Sequence, residues 1–156
     1  MNADEVIRYS EYLNPFDDIT VSLSTHEISD ALKPVISNVI IPGLTQKNKN
    51  PFFNSIWLLI EKRFLVSVGS ILFKGGPDRD GNVEIGYGTN EEYQNRGYMT
   101  EAVAAVCIAA FESGKVKRII AETAKNNVPS FGVLEKNNFN KYSENENFYY
   151  WEKVKK

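Results

Sequence analysis

One cysteine, Cys107, and one histidine, His26, are all that the 156-residue chain has of either type. Those counts exclude a disulfide framework, a Cys/His zinc site and any chemistry that needs two histidines. A Ser-His-Asp arrangement would have to use His26, in the polar stretch Ser24-Thr25-His26-Glu27. An excess of one charge is also missing. Eighteen Lys and Arg stand against twenty Asp and Glu, a formal net charge of −2. Without a basic surplus, nothing draws the chain toward nucleic acid or an anionic membrane. The longest apolar runs, Ile56–Ile60 and Val103–Phe111, are far shorter than the roughly 20 residues that span a bilayer. The N-terminus, Met1-Asn2-Ala3-Asp4-Glu5-Val6-Ile7-Arg8, is acidic and lacks the apolar centre of a signal peptide. The expectation is a soluble, cytoplasmic protein that holds no metal.

What is present reads as one α/β domain over residues 1–156, with 42% hydrophobic and 24% charged residues, close to globular averages. Residues 1–54 are read as an N-terminal part: an edge strand at Val6–Tyr12, a helix from about Thr25 interrupted by Pro34 and Pro42-Gly43, and a polar loop over Thr45–Asn54. From residue 55 the period changes to two. Ser55–Ile60 and Leu65–Phe73 form an expected hairpin around Glu61-Lys62-Arg63, and Val83–Gly88 follows after the turn-rich Lys74–Asn82 segment. Then the period becomes helical, with apolar residues at Met99, Ala102, Val103, Val106, Cys107, Ala110 and Phe111, ending at Gly114. A strand at Val116–Thr123, a short helix Ser130–Asn137 opened by Pro129, and a hairpin of Phe139–Ser143 with Phe148–Val154 complete the chain. The strand–helix–strand order permits a parallel, right-handed crossover between 83–88 and 116–123.

The segment between that strand and its helix carries the chemistry. The helix begins at about Gly97, and a helix N-terminus offers unpaired N–H groups with partial positive charge to an anion. Gly97 permits close backbone approach and Arg96 adds a cation beside it. No Gly-Lys-Ser/Thr follows, which excludes a P-loop, and the dinucleotide glycine spacing is absent. A pyrophosphate cradle and an ordinary strand–helix connection both remain open on these residues alone.

Gln94-Asn95-Arg96-Gly97-Tyr98 resembles the Gln/Arg-x-x-Gly-x-Gly/Ala signature of the GNAT N-acetyltransferase superfamily. Glu84-Ile85-Gly86-Tyr87 with Gly97-Tyr98-Met99-Thr100-Glu101-Ala102 is similar to the branch of ribosomal-protein N-terminal acetyltransferases. Asn127-Val128-Pro129-Ser130 followed by Val133-Leu134-Glu135-Lys136-Asn137-Asn138-Phe139 resembles that branch's Asn-x-x-Ser…Val-Leu-Glu-Lys-x-Gly-Phe. The likeness runs from about Ser55 to the C-terminus, in order. It implies a mixed, mostly antiparallel sheet of six to seven strands, a V-shaped splay between the two parallel strands and helices on both faces. Residues 55–156 would then be the acetyl-CoA-binding core, with acceptor-side elements in 1–54.

The resemblance also implies roles. The pantetheine of acetyl-CoA would pair with the backbone of Ile85, Gly86 and Tyr87. The pyrophosphate would lie on the Gln94–Met99 loop, that is Gln94, Asn95, Arg96, Gly97, Tyr98 and Met99. Asn127 would bond the pantetheine and Ser130 would sit near the thiol, although both residue types equally suit a helix start. Two departures stand out. Met99 replaces a small residue, so its side chain must turn into the core. Leu134 stands where many relatives have a tyrosine that protonates the leaving thiolate, leaving Ser130, a water or Tyr142 as substitutes. Glu84 is the candidate base for the incoming amine, and Glu122, on the neighbouring strand, is a second carboxylate at the opening. A salt-bridged strand-face charge is the competing reading of Glu84. The expected reaction is acetyl transfer from acetyl-CoA to a primary amine, a protein N-terminus or a small molecule. A non-catalytic CoA-binding module is the alternative. No nucleic-acid or membrane partner is expected, and an exposed C-terminal hairpin could pair across a homodimer.

Overall fold

A computed structural model of the chain describes Asn38 and residues 50–156 other than Leu65. The expected strand at Val6–Tyr12, the helix from Thr25 and the loop as far as residue 49 lie outside the described residues. The last part of that loop is corrected. Pro51–Phe53 forms a 3-10 turn, with the Asn50 side chain accepting from the Phe52 amide. The turn drives Phe53 into the core against Phe73, at a ring separation of 5.3 Å. An asparagine cap followed by proline starts the turn, and the two phenylalanines bury it.

The described strands are β1 (Ile56–Glu61), β2 (Val66–Phe73), β3 (Asn82–Thr89), β4 (Arg118–Ala124), β5 (Asn140–Glu144) and β6 (Phe148–Val154). Two helices, α1 (Tyr98–Glu112) and α2 (Val128–Lys136), follow β3 and β4. The strands make one six-stranded mixed sheet in the order β1-β2-β3-β4-β6-β5. All pairings are antiparallel except β3 with β4.

That parallel ladder is short. It pairs Asn82, Val83 and Glu84 with Arg118, Ile119 and Ile120, and stops there. Beyond Glu84, β3 continues against β2 through Ile85–Thr89, its only partner there among the described residues, while β4 continues against β6. The two parallel strands therefore diverge over their C-terminal halves, as the resemblance implied.

Alternation decides which residues meet the helices. Val83, Ile85, Ile119, Ala121 and Trp151 share one face and pack with Met99, Val103, Cys107 and Ala110 of α1 and Leu134 of α2 in a continuous core. Both described helices lie on this face. Those expected on the other would fall in residues outside the described ones. Cys107 is fully buried, and burial pushes its thiol up to about 11, which fits the expected core role. Among the described residues no helix is long and apolar enough to cross a membrane.

The ends of the helices follow local rules. Gly114 takes a left-handed φ of 73° after α1, as its position predicts. Asn138 adopts φ 58° after α2, with its amide bonded to Glu135 O and that of Phe139 to Leu134 O. Asparagine is among the few residues that tolerate this conformation, so it serves where the related motif has glycine.

Candidate active site

A cleft of about 470 Å³ opens on the helix-covered side, at the C-terminal ends of β3 and β4. One wall is Tyr87, Gly88 and Thr89 of β3. The second is the loop and first turn of α1, from Tyr93 to Thr100, and the third is α2 from Asn127 to Lys136.

The α1 wall is shaped for an anion. Gly97 is the N-cap, with φ 84° and no side-chain cap bond on the helix. Asn95, two residues earlier, also takes a left-handed φ of 60°. Such turns bring successive N–H groups to one concave side. The first helical amide to find its acceptor is that of Glu101, on Gly97 O at 3.1 Å. Helix geometry leaves the preceding amides of Tyr98, Met99 and Thr100 pointing out of the helix end. A Cβ at Gly97 would meet nothing within 4 Å, so the space before these amides is open. The Gln94 side chain donates to Thr89 O at 3.3 Å and ties the loop to the end of β3. These features fit the pyrophosphate of acetyl-CoA.

The side chains suggested by the sequence divide between three places. Tyr87, Gln94, Asn95, Gly97, Tyr98, Met99, Asn127 and Ser130 line the cleft. Arg96 does not. Its guanidinium stacks on the Tyr93 ring, 5.4 Å from the centroid, and stands exposed at the rim. Ile85 is in the core and Gly86 faces the opposite side of the sheet, so both can reach a ligand only through backbone groups. Asn127 is the N-cap of α2 by position, yet its side chain makes no cap bond to the helix. Met99 is buried at 4% exposure, as its departure from the motif requires.

Glu84 and Glu122 occupy the other face of the sheet, beside the point where β3 and β4 part. Glu84 forms an ion pair with Lys74, so the salt-bridged reading of this residue is realised. Glu122 pairs across strands with Tyr150. Partial burial and then the charge and hydrogen bonding of Glu122 hold the Tyr150 phenol above its ordinary value, with a smaller push from Glu84. The Tyr150 hydroxyl accepts from Asn145 Nδ2 at 2.8 Å. Of the substitutes for a thiolate acid, Ser130 lines the cleft. Tyr142 lies on the exposed hairpin under the Arg118 guanidinium, 4.7 Å from its ring. Leu134 is fully buried.

Several residues escaped sequence reasoning. Lys136 lines the cleft because the Asn137 side chain bonds Thr100 O at 3.1 Å and holds the end of α2 against the start of α1. Tyr150 lies within the expected strand Phe148–Val154, with nothing local to mark it. Its partnership with Glu122 depends on the β4–β6 register, for which no local signal exists.

Comparison with known proteins agrees with this geometry. The family profile described as an acetyltransferase (GNAT) domain matches residues 1–140. An uncharacterised N-acetyltransferase of Bacillus subtilis, YjdG, is 34% identical over 96 residues, 62% of this chain and 56% of that protein. The chain thus matches little more than half the length of this relative. Among solved structures, a GNAT-family acetyltransferase from Bacillus anthracis superposes with TM-score 0.59 and 28% identity, covering 64% of this chain and 65% of that one. The ribosomal-protein-S5-alanine acetyltransferase of Vibrio fischeri shares the fold at TM-score 0.57 and 23% identity, over 61% of this chain and 58% of that one. With a family profile spanning most of its residues and a split parallel pair beside an open helix N-terminus, the chain belongs to the GNAT acetyltransferase family.

Proposed function

We propose that this domain transfers the acetyl group of acetyl-CoA directly to a primary amine, either a protein N-terminus or a small-molecule amine. The observation that carries this reading is the junction of two features: the open cradle at Gly97 and the parting of β3 from β4 beyond Glu84. The names of the Bacillus relatives support acyl transfer.

In this reading acetyl-CoA supplies the activated acyl group. The α1 amides and Lys136 bind its phosphates, and the unpaired edge of β3 from Ile85 to Tyr87 orients its pantetheine. Asn127 offers a further polar contact. Glu84 and Glu122 face the acceptor from the opposite side of the sheet. Glu84 takes a proton from the ammonium, directly or through one water, and the Lys74 ion pair holds its carboxylate in place. The amine nitrogen then attacks the thioester carbonyl, the N–C bond forms and the C–S bond breaks, with the electron pair leaving on sulfur and the second proton of the nitrogen passing to water. Holding both reactants across the gap supplies much of the rate.

The first test is a thermal melt with acetyl-CoA, CoA, ATP and NAD in parallel. Ligand at a hundred times its dissociation constant adds roughly 2.7 kcal/mol, a rise on the order of 5–10 °C for a domain of this size. Acetyl-CoA and CoA are expected to raise the melting temperature, and ATP and NAD are not. No shift with saturating acetyl-CoA would overturn the reading.

The buried Leu134 favours a second reading, a CoA-binding module without turnover. Thiol release across a panel of amines separates the two. For an enzyme, Glu84→Gln is expected to lower kcat about a hundredfold with the acetyl-CoA thermal shift intact. For a module, neither protein releases thiol.

A further inference from the structure

Five hydroxyl side chains line the cleft besides that of Ser130, those of Tyr87, Thr89, Tyr93, Tyr98 and Thr100. Tyr87 differs from the rest in position. It lies three residues beyond Glu84, the last β3 residue paired with β4, and on the face turned toward the helices. Its ring packs against the core, and its hydroxyl donates to the carbonyl oxygen of Ser130 at 3.1 Å. That bond crosses the cleft from β3 to the first turn of α2, at the end where the strands part. Burial pushes the phenol well above its ordinary value, so it stays a hydrogen-bond donor near neutral pH.

We infer that the Tyr87 hydroxyl hydrogen-bonds the sulfur of CoA as the thiolate leaves, turning from the Ser130 carbonyl to do so. This rests on the acetyl-transfer reading and adds a residue to it. The role is donation without proton transfer. An ordinary phenol, at about 10, is already a weaker acid than a thiol at about 8.5, and burial widens that gap. The C–S electron pair stays on sulfur, the Tyr87 O–H bond stays whole, and the proton that completes the thiol comes from water as CoA departs. The fully apolar Leu134 nearby offers no such donor.

The test is a titration of the product thiol in its complex, followed by thiolate ultraviolet absorbance. The desulfo-CoA complex serves as the blank for the protein's own tyrosines. Bound CoA in the wild-type protein is expected to titrate lower than free CoA. In Tyr87→Phe the bound thiol should titrate about one unit higher than in the wild type, a tenfold change in the thiolate-to-thiol ratio. Desulfo-CoA should bind both proteins within about twofold, and kcat should fall about tenfold with KM for acetyl-CoA unchanged. A clasp that only shapes the cleft would weaken CoA and desulfo-CoA equally and leave the thiol titration unmoved, which overturns the inference. If Tyr87→Phe fails to fold, a wild-type complex whose thiol is no more acidic than free CoA overturns it as well. Failure of the wild type to bind CoA at all would instead overturn the acetyl-transfer reading beneath it.

Discussion

Replacing Gly97 by valine is expected to raise the dissociation constant for acetyl-CoA at least about a hundredfold, with the fold retained. Gly97 sits at φ 84° as the N-cap of α1. A β-branched residue there costs about 1–2 kcal/mol of backbone strain, and the loop relieves it by turning its amides away. The new side chain also enters the open space in front of those amides. Hydrogen bonds from N–H groups to a charged phosphate contribute roughly 1.5–3 kcal/mol each. Losing even two outweighs the 2.7 kcal/mol or so that a hundredfold represents. Isothermal titration with acetyl-CoA measures the loss, and far-ultraviolet circular dichroism confirms that the helices remain. Unchanged affinity in a folded variant would mean that the anion binds elsewhere.

The second large effect belongs to stability. Gly69→Ala is expected to lower the melting temperature by about 2–12 °C. A Cβ at Gly69 would lie 2.4 Å from Gly88 O, 3.1 Å from Thr89 Cα and 3.3 Å from Met99 Cε. The first two atoms are backbone of β3, so β2 and β3 must separate. Overpacking of this kind costs about 1–3 kcal/mol, at times more, and each kcal/mol moves a domain of this size by about 2–4 °C. The third atom shows what the glycine accomplishes. Met99 stands where the related motif has a small residue, and its side chain packs over β2 where Gly69 has none. The double variant Gly69→Ala/Met99→Ala is not expected to recover the lost stability, because Gly88 O still blocks the site. Recovery would show that the Met99 contact sets the cost.

Much of the core was legible because its signals are local. Period-two spacing and short apolar runs over Leu65–Phe73 and Val83–Gly88, helical spacing from Met99 to Phe111, and the turn residues Gly114 and Asn138 each act within a few positions of themselves. The cradle was legible for the same reason: a glycine opening a helix after a loop implies exposed amides wherever it occurs. The end of the segment Thr45–Asn54 reads as a polar loop but folds as the Pro51–Phe53 turn. Its polar composition hid the pair Phe52-Phe53, whose burial depends on Phe73 being opposite.

By itself, then, the sequence determined the helix–strand order from residue 55 onward, the apolar faces, the open helix start at Gly97 and the family resemblance, since each follows from backbone geometry and periodicity over short spans. Tertiary structure alone decided how the site is assembled. The pairing of Glu84 with Lys74 depends on the β2–β3 turn, and that of Glu122 with Tyr150 on the β4–β6 register. The bond from Tyr87 to Ser130 joins positions 43 residues apart. Such contacts form only when separate elements pack, and packing is a property of the whole core that no short window of residues contains.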